Sequence, residues 1–175
     1  NHRGDTLGGI NLTVKITAPA PEVIRVQVAH HLGVQAKLPE FDLTFAEGFK
    51  PEITENEEEV TVKSGSLALR IDRKNWSMRY ERDGKLLTTS AGRDLGYMRT
   101  GWTGFAYDND PNGKAVMRQQ LGLSVNEHVY GLGERFGAFI KNGQSVDIWN
   151  EDGGTSTDQS YKNIPFYLTD KGYGV

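Results

Sequence analysis

The chain contains no cysteine. That removes disulfide staples, thiolate metal sites and cysteine nucleophiles together, and it fits a reducing compartment, so a cytoplasmic protein is expected. No run of ~18 apolar residues occurs, so no membrane-spanning helix is expected. The first residues, Asn1-His2-Arg3-Gly4-Asp5, lack the apolar segment of a signal peptide. Neither sign of charge is in marked excess: 20 Lys and Arg stand against 23 Asp and Glu, interspersed, for a net charge of −3. A nucleic-acid binder would want a basic face, so neither nucleic acid nor membrane is expected as a partner. Histidine is scarce, with His2, His30, His31 and His128 the only four. His30 and His31 are adjacent, and neighbouring strand residues face opposite ways, so they make a poor metal pair. His128, between Glu127 and Val129, reads as a turn residue. No serine sits in a nucleophile-elbow pattern, so no Ser/His/Asp arrangement is legible. The expectation is a protein with no metal and no cofactor.

Hydrophobic residues make up 37% of the 175 and charged residues 25%, the balance of a globular chain with its own core, read as one domain over residues 1–175. Period-two alternation dominates. Leu12, Val14 and Ile16 alternate with polar neighbours, as do Ile24, Val26 and Val28; Phe41, Leu43 and Phe45; Leu67, Leu69 and Ile71; and Trp76, Met78 and Tyr80. Each set places its apolar residues on one face of a strand. Ala18-Pro19-Ala20-Pro21 separates the first two strands, Ser64-Gly65 separates 60–63 from 66–72, and Asp83-Gly84 separates 76–82 from 85–89. Asp-Gly is a strong two-residue hairpin signal. No amphipathic helix of about ten or more residues is apparent. The fold class is therefore all-β, an antiparallel β-sandwich.

Two stretches read as long loops: residues 91–114, rich in Gly, Asp and Asn, and residues 150–162, rich in Gly, Ser and Thr. Long loops inside a compact domain are usually functional or mobile. The acidic run at 55–59 reads as solvated. Asp108-x-Asp110-x-Asn112-Gly113 matches the first half of a calcium loop. Its twelfth position is Gln119 where a bidentate Glu belongs, and no helices flank it, so a Gly-rich turn is the better reading. Gly131-Leu132-Gly133 lacks the third glycine and the βαβ context of a dinucleotide site; it reads as a strand bend or bulge where glycine admits close backbone approach. Residues 164–169 read as a strand, 170–172 as a turn, and 173–175 as the start of a partner strand. The chain accordingly reads as a fragment, truncated at the C-terminal end of its sandwich.

Glu134, Asp147, Glu151, Asp152 and Asp158 cluster in the last third of the sequence. Glycoside hydrolysis needs two carboxylates across the scissile bond, but no spacing here marks such a pair. A lone aspartate in a Gly-rich loop is better suited to holding a sugar than to cleaving one. Its carboxylate can accept hydrogen bonds from two adjacent sugar hydroxyls, while an aromatic such as Trp149 or Tyr161 covers an apolar sugar face.

The run Val129-Tyr130-Gly131-Leu132-Gly133-Glu134-Arg135-Phe136 is similar to the Y/F-G-L-G-E-R-F segment of family 31 glycoside hydrolases. Asn142-Gly143-Gln144, Trp149-Asn150-Glu151-Asp152-Gly153-Gly154-Thr155-Ser156-Thr157 and Tyr161-Lys162-Asn163-Ile164-Pro165-Phe166-Tyr167 resemble its α-xylosidase branch in particular. The resemblance implies a galactose-mutarotase-like supersandwich that precedes a (β/α)8 barrel, with both catalytic aspartates on the barrel and none in this chain. It implies that Asp152 hydrogen-bonds a sugar hydroxyl, that Tyr161 walls the pocket, and that Trp149 borders the same loop. It leaves Glu134 and Arg135 as structural residues, an ion pair bracing the loop. The partners so implied are an α-linked xyloside or glucoside and the protein's own barrel, with subunit contacts in an oligomeric parent a further role. Two rival readings are a free-standing carbohydrate-binding module and a mutarotase-like epimerase; the latter wants a converging His and Glu, for which histidine is too sparse.

Overall fold

Alternation of apolar and polar residues becomes antiparallel pairing throughout the computed structural model, which describes residues 10–30, 46–100, 114–149 and 160–175. Eleven strands form among these residues, in chain order β1 (Thr13–Ala20), β2 (Val23–Ala29), β3 (Glu52–Glu55), β4 (Glu59–Ser64), β5 (Leu67–Asp72), β6 (Met78–Arg82), β7 (Lys85–Ser90), β8 (Leu95–Arg99), β9 (Ala115–Gln119), β10 (Val129–Arg135) and β11 (Ser160–Thr169). No helix occurs among the described residues. The chain divides into two compact units, Asn1–Gly122 and Leu123–Val175.

In the first unit, β3 to β7 form a five-stranded meander in sequence order. Its inner face carries Val62, Leu69, Ile71 and Met78, all buried, with Leu69 fully excluded from solvent. Ile16, Ile24 and Val26 of the β1–β2 hairpin pack against this cluster, together with Val60, Tyr80 and Leu95. These contacts make the sandwich layer that the alternation predicts. The opposite face carries charge. The Arg70 guanidinium donates from Nη1 to Glu59 Oε1 at 2.8 Å and from Nε to Glu81 Oε2 at 3.0 Å, and Arg79 reaches the other Glu81 oxygen at 2.6 Å. Burial pushes the Glu81 carboxyl up, but hydrogen bonds from Arg79 and Arg70 outweigh it and hold the group below the usual carboxylate range.

Hairpin chemistry follows the sequence. Asp83 and Gly84 both take positive φ, 49° and 77°, the conformation of a type I′ turn. The β1–β2 turn is tied to the β4–β5 turn by Glu22, whose carboxylate accepts from Ser66 N at 2.7 Å and Ser66 Oγ at 2.6 Å.

Two regions depart from expectation. The strand expected from Trp76 begins at Met78. Asp72 Oδ1 accepts from Asn75 N at 2.7 Å and closes a turn there, leaving Trp76 at φ 54° and partly exposed. The loop expected over 91–114 contains β8, paired with β9 from Leu95↔Gln119 to Arg99↔Ala115. The acidic run at 55–59 is solvated as expected: residues 55–58 are exposed, in a hairpin turn capped by Asn56 Oδ1 accepting from Glu58 N and Glu59 N at 2.8 Å each. The strand expected over Phe41, Leu43 and Phe45, and the Asp108–Asn112 turn, lie outside the described residues.

Leu69→Ala removes the centre of the buried cluster and should destabilise the first unit by about 2–5 kcal/mol. Urea unfolding followed by circular dichroism would show a lowered midpoint; a midpoint equal to the wild type would mean that the core is elsewhere.

Candidate functional site

Glycine at 131 and 133 shapes the second unit. Leu132 stands between them, and all three residues take positive φ, 107°, 70° and 99° in order. Strand β10 pairs regularly with β11 from Val129↔Thr169 to Gly131↔Tyr167, then resumes at Gly133↔Asn163. Residues 164–166 of β11 are thus taken up opposite Leu132 alone, a bulge of the kind the G-x-G spacing predicts. Pro165 falls in this stretch, where the missing N–H costs no ladder bond. The strands approach so closely that a Cβ at residue 133 would lie 2.0 Å from the Lys162 carbonyl oxygen, and one at 131 would lie 2.9 Å from that of Phe166.

A second slip follows. Glu134 pairs with Lys162 but Arg135 pairs with Ser160, so Tyr161 has no register partner. Its side chain is 67% exposed and stands edge-on to Phe136, ring centroids 5.2 Å apart. Trp149, on the other side of the loop, is 71% exposed. Its backbone is held rather than its ring: the Asn163 amide nitrogen donates to the Trp149 carbonyl. Arg135 donates from Nε to Leu132 O at 3.1 Å, from Nη2 to Asp147 O at 2.5 Å, and to Asn163 Oδ1. The guanidinium of Arg135 thus braces Leu132, Asp147 and Asn163, and Glu134 is exposed on the adjoining position. Asp152 lies outside the described residues, as do Glu151 and Asp158.

The base of the unit is a polar knot. Asn142 accepts from Val129 N at 2.8 Å and donates to Glu127 O at 2.9 Å, and Lys141 N donates to Val129 O at 2.8 Å. The Glu127 side chain is buried. Burial pushes its carboxyl up, but the neighbouring polar groups of Tyr173, Ser124 and Thr169 outweigh that and hold it below its ordinary value; Ser124 N donates to Glu127 Oε2 at 2.6 Å. His128 Nδ1 lies 2.7 Å from Asp170 Oδ2, while His128 N donates to Asp170 Oδ1 at 3.1 Å and Asp170 N to His128 O at 3.2 Å. His128 stands directly before β10, latched to the turn that follows β11. That turn returns the chain so that Val175 and Tyr167 exchange hydrogen bonds of 2.8 and 2.9 Å, the partner-strand pairing read from the sequence.

Sequence reasoning singled out Trp149 and Tyr161 but missed Phe136, whose ring packs on Tyr161, and the roles of Asn163 and Asp170. The signal for Phe136 was present in its place directly after the motif's arginine. Nothing local marked Asn163, because its partners lie 14 and 28 residues away. Among the described residues no group of three His, Asp or Glu side chains is placed to hold a metal ion.

Comparison with known proteins gives a consistent answer. Residues 13–175 match the model of the glycosyl hydrolase 31 N-terminal galactose mutarotase-like domain. The chain is 40% identical over 187 aligned residues to an alpha-xylosidase of Emericella nidulans, covering 99% of this chain and 24% of that protein. It is 38% identical over 176 residues to alpha-xylosidase XylQ of Lactiplantibacillus pentosus, covering 99% of this chain and 21% of that protein. The fold is similar to that of the GH31 dextranase of Flavobacterium johnsoniae, with TM-score 0.68 and 19% identity over 94% of this chain and 21% of that one. It is also similar to that of the GH31 alpha-xylosidase of Xanthomonas citri, with TM-score 0.62 and 16% identity over 92% of this chain and 18% of that one. The chain spans about a quarter of the length of the curated relatives it matches.

Two outcomes test this geometry. Gly133→Ala forces a side chain into positive φ and against the Lys162 carbonyl, and should destabilise the second unit by about 1–3 kcal/mol or more; unchanged amide-exchange protection of β10 and β11 would contradict it. The Asp170 carboxyl is held below its ordinary value of 3.8, first by the His128 side chain and then by the His128 backbone N–H. A lowered carboxyl stabilises the fold fully above its unfolded value and loses that contribution as pH falls through the folded one. His128→Ala should return the Asp170 titration, followed by NMR, upward toward 3.8; an unmoved titration would show the latch to be inert.

Proposed function

Because this chain belongs to the glycosyl hydrolase 31 N-terminal galactose mutarotase-like domain family, we propose that it is the N-terminal part of a retaining α-glycosidase acting on α-xylosides or α-glucosides. Its role there is to offer the loop at 150–162 to the active-site mouth of a catalytic barrel carried by the same protein. The observation that supports this most is the pairing of an anchored stem with exposed aromatics: Arg135 and Asn163 fix the backbone at Asp147 and Trp149, while the rings of Trp149 and Tyr161 remain largely open to solvent. Fixed stems that leave the flanking aromatics uncovered suit a ligand with apolar C–H faces, and a pyranose ring has such faces.

The division of chemistry follows. The parent enzyme cleaves by double displacement through a covalent glycosyl-enzyme intermediate, with nucleophile and acid/base supplied by the barrel. Asp152 accepts hydrogen bonds from sugar hydroxyls close to the bond being cleaved. Tyr161 and Trp149 wall the pocket against the ring. Binding groups of this kind raise kcat/KM where their contacts strengthen in the transition state. The chain by itself binds no sugar measurably and turns none over, because it holds only one side of the pocket.

In the full-length protein, Asp152→Ala should lower kcat/KM on an aryl α-xyloside by roughly 10- to 100-fold, the worth of a hydrogen bond to a charged acceptor, with the thermal midpoint unchanged. Tyr161→Ala and Trp149→Ala should lower it by smaller factors, mainly through KM. An unaltered kcat/KM in Asp152→Ala removes that residue from the site. Turnover by residues 1–175 alone would overturn the assignment of the chemistry to the barrel, and saturable xylose binding by them would favour a free-standing sugar-binding module.

A further inference from the structure

We infer that Arg135 and Asn163 are positioning residues, which hold the two stems of the loop together and so set where Trp149 and Tyr161 stand. The inference rests on the sugar-contacting role proposed for that loop, and goes beyond it by naming what fixes the loop in place.

Arg135 ends β10 at the second register slip. Bulges redirect the side chain that they displace, and here the residue skipped is Tyr161. The arginine stands beside this slip with its guanidinium spread over three acceptors on three segments: Leu132 O on its own strand, Asp147 O before the loop, and Asn163 Oδ1 after it. Asn163 extends the chain of bonds. Its amide oxygen accepts from Arg135 and its amide nitrogen donates to Trp149 O, so both ends of the group are committed and the amide has one orientation. Residues 147 and 149 enter the loop and residues 161 and 163 leave it, and the two polar side chains cross-link entry to exit. Glycine at 133 lets the Lys162 carbonyl come close enough for the guanidinium to span the gap.

The geometry requires a planar fork. A lysine ammonium carries the same charge but is a compact point that cannot address three divergent carbonyl directions together. Arg135→Lys therefore separates charge from shape, and Asn163→Ala removes the relay while leaving the arginine. Neither residue reaches the sugar under the proposed function, so both act only through the aromatics they place.

The test uses full-length protein and two readouts. Amide exchange of peptides covering 146–149 and 160–163 should rise about tenfold in Arg135→Lys and Asn163→Ala, as expected for loss of hydrogen bonds to a charged donor, with peptides of β4 to β6 unchanged. On an aryl α-xyloside, KM should rise about fivefold to tenfold with kcat within about twofold. Unchanged exchange at the stems overturns the inference whatever the kinetics show. A rise spread evenly over the whole chain also overturns it, since that marks general destabilisation. Loosened stems with unaltered KM overturn the positioning role. Trp149→Ala, measured in parallel, separates the two readings: if it impairs KM while the clamp variants do not, the loop contacts sugar and the clamp is dispensable.

Discussion

The carbonyl oxygen of Lys162 occupies the space where residue 133 would carry a Cβ, 2.0 Å from its position. Only glycine permits that approach, and only at a backbone angle that other residues rarely adopt. Much of the second unit depends on it. The bulge it creates takes up residues 164–166, accommodates Pro165, and carries the register into a second slip at Tyr161. A regular ladder would have paired Tyr161 and alternated its neighbours by twos. The irregular one turns the phenol outward against Phe136 and brings Asn163 within reach of both Arg135 and Trp149.

Around this constraint several polar side chains of the unit bond to backbone. Glu127 is a buried carboxylate that accepts from Ser124 N at 2.6 Å, and the polar groups of Tyr173, Ser124 and Thr169 hold it below its ordinary value. Neutral donors compensate a desolvated charge and fix geometry at the same time. Asn142 repeats the pattern by joining Glu127 to Val129. These groups hold the fold.

Much of this was legible in the residues. The hairpin at Asp83-Gly84, the apolar face through Leu67, Leu69 and Ile71, and the glycine bulge each followed from local sequence because local sterics decide them. Strands β3 and β9 did not, because they are exposed along their whole length and exposed edge strands need no alternation. Strand β8 was hidden by Gly96 and by the polar, turn-rich residues around it. Alternation with Met78 and Tyr80 places Trp76 on a strand, whereas Asp72 closes a turn just before it. At the site, the exposed aromatics were found through resemblance and chemistry, while the clamp was not, since a hydrogen bond spanning 28 residues leaves no local periodicity.

The central claim is that the loop flanked by Trp149 and Tyr161 faces a sugar in the complete enzyme. The most direct measurement is a crystal structure of the full-length protein with an α-xyloside-derived inhibitor in the barrel. The Asp152 carboxylate should then lie within hydrogen-bond distance of a glycone hydroxyl, about 3 Å, and a Trp149 or Tyr161 ring within about 4.5 Å of the sugar. A loop standing clear of the inhibitor, with all three side chains in solvent, would contradict it.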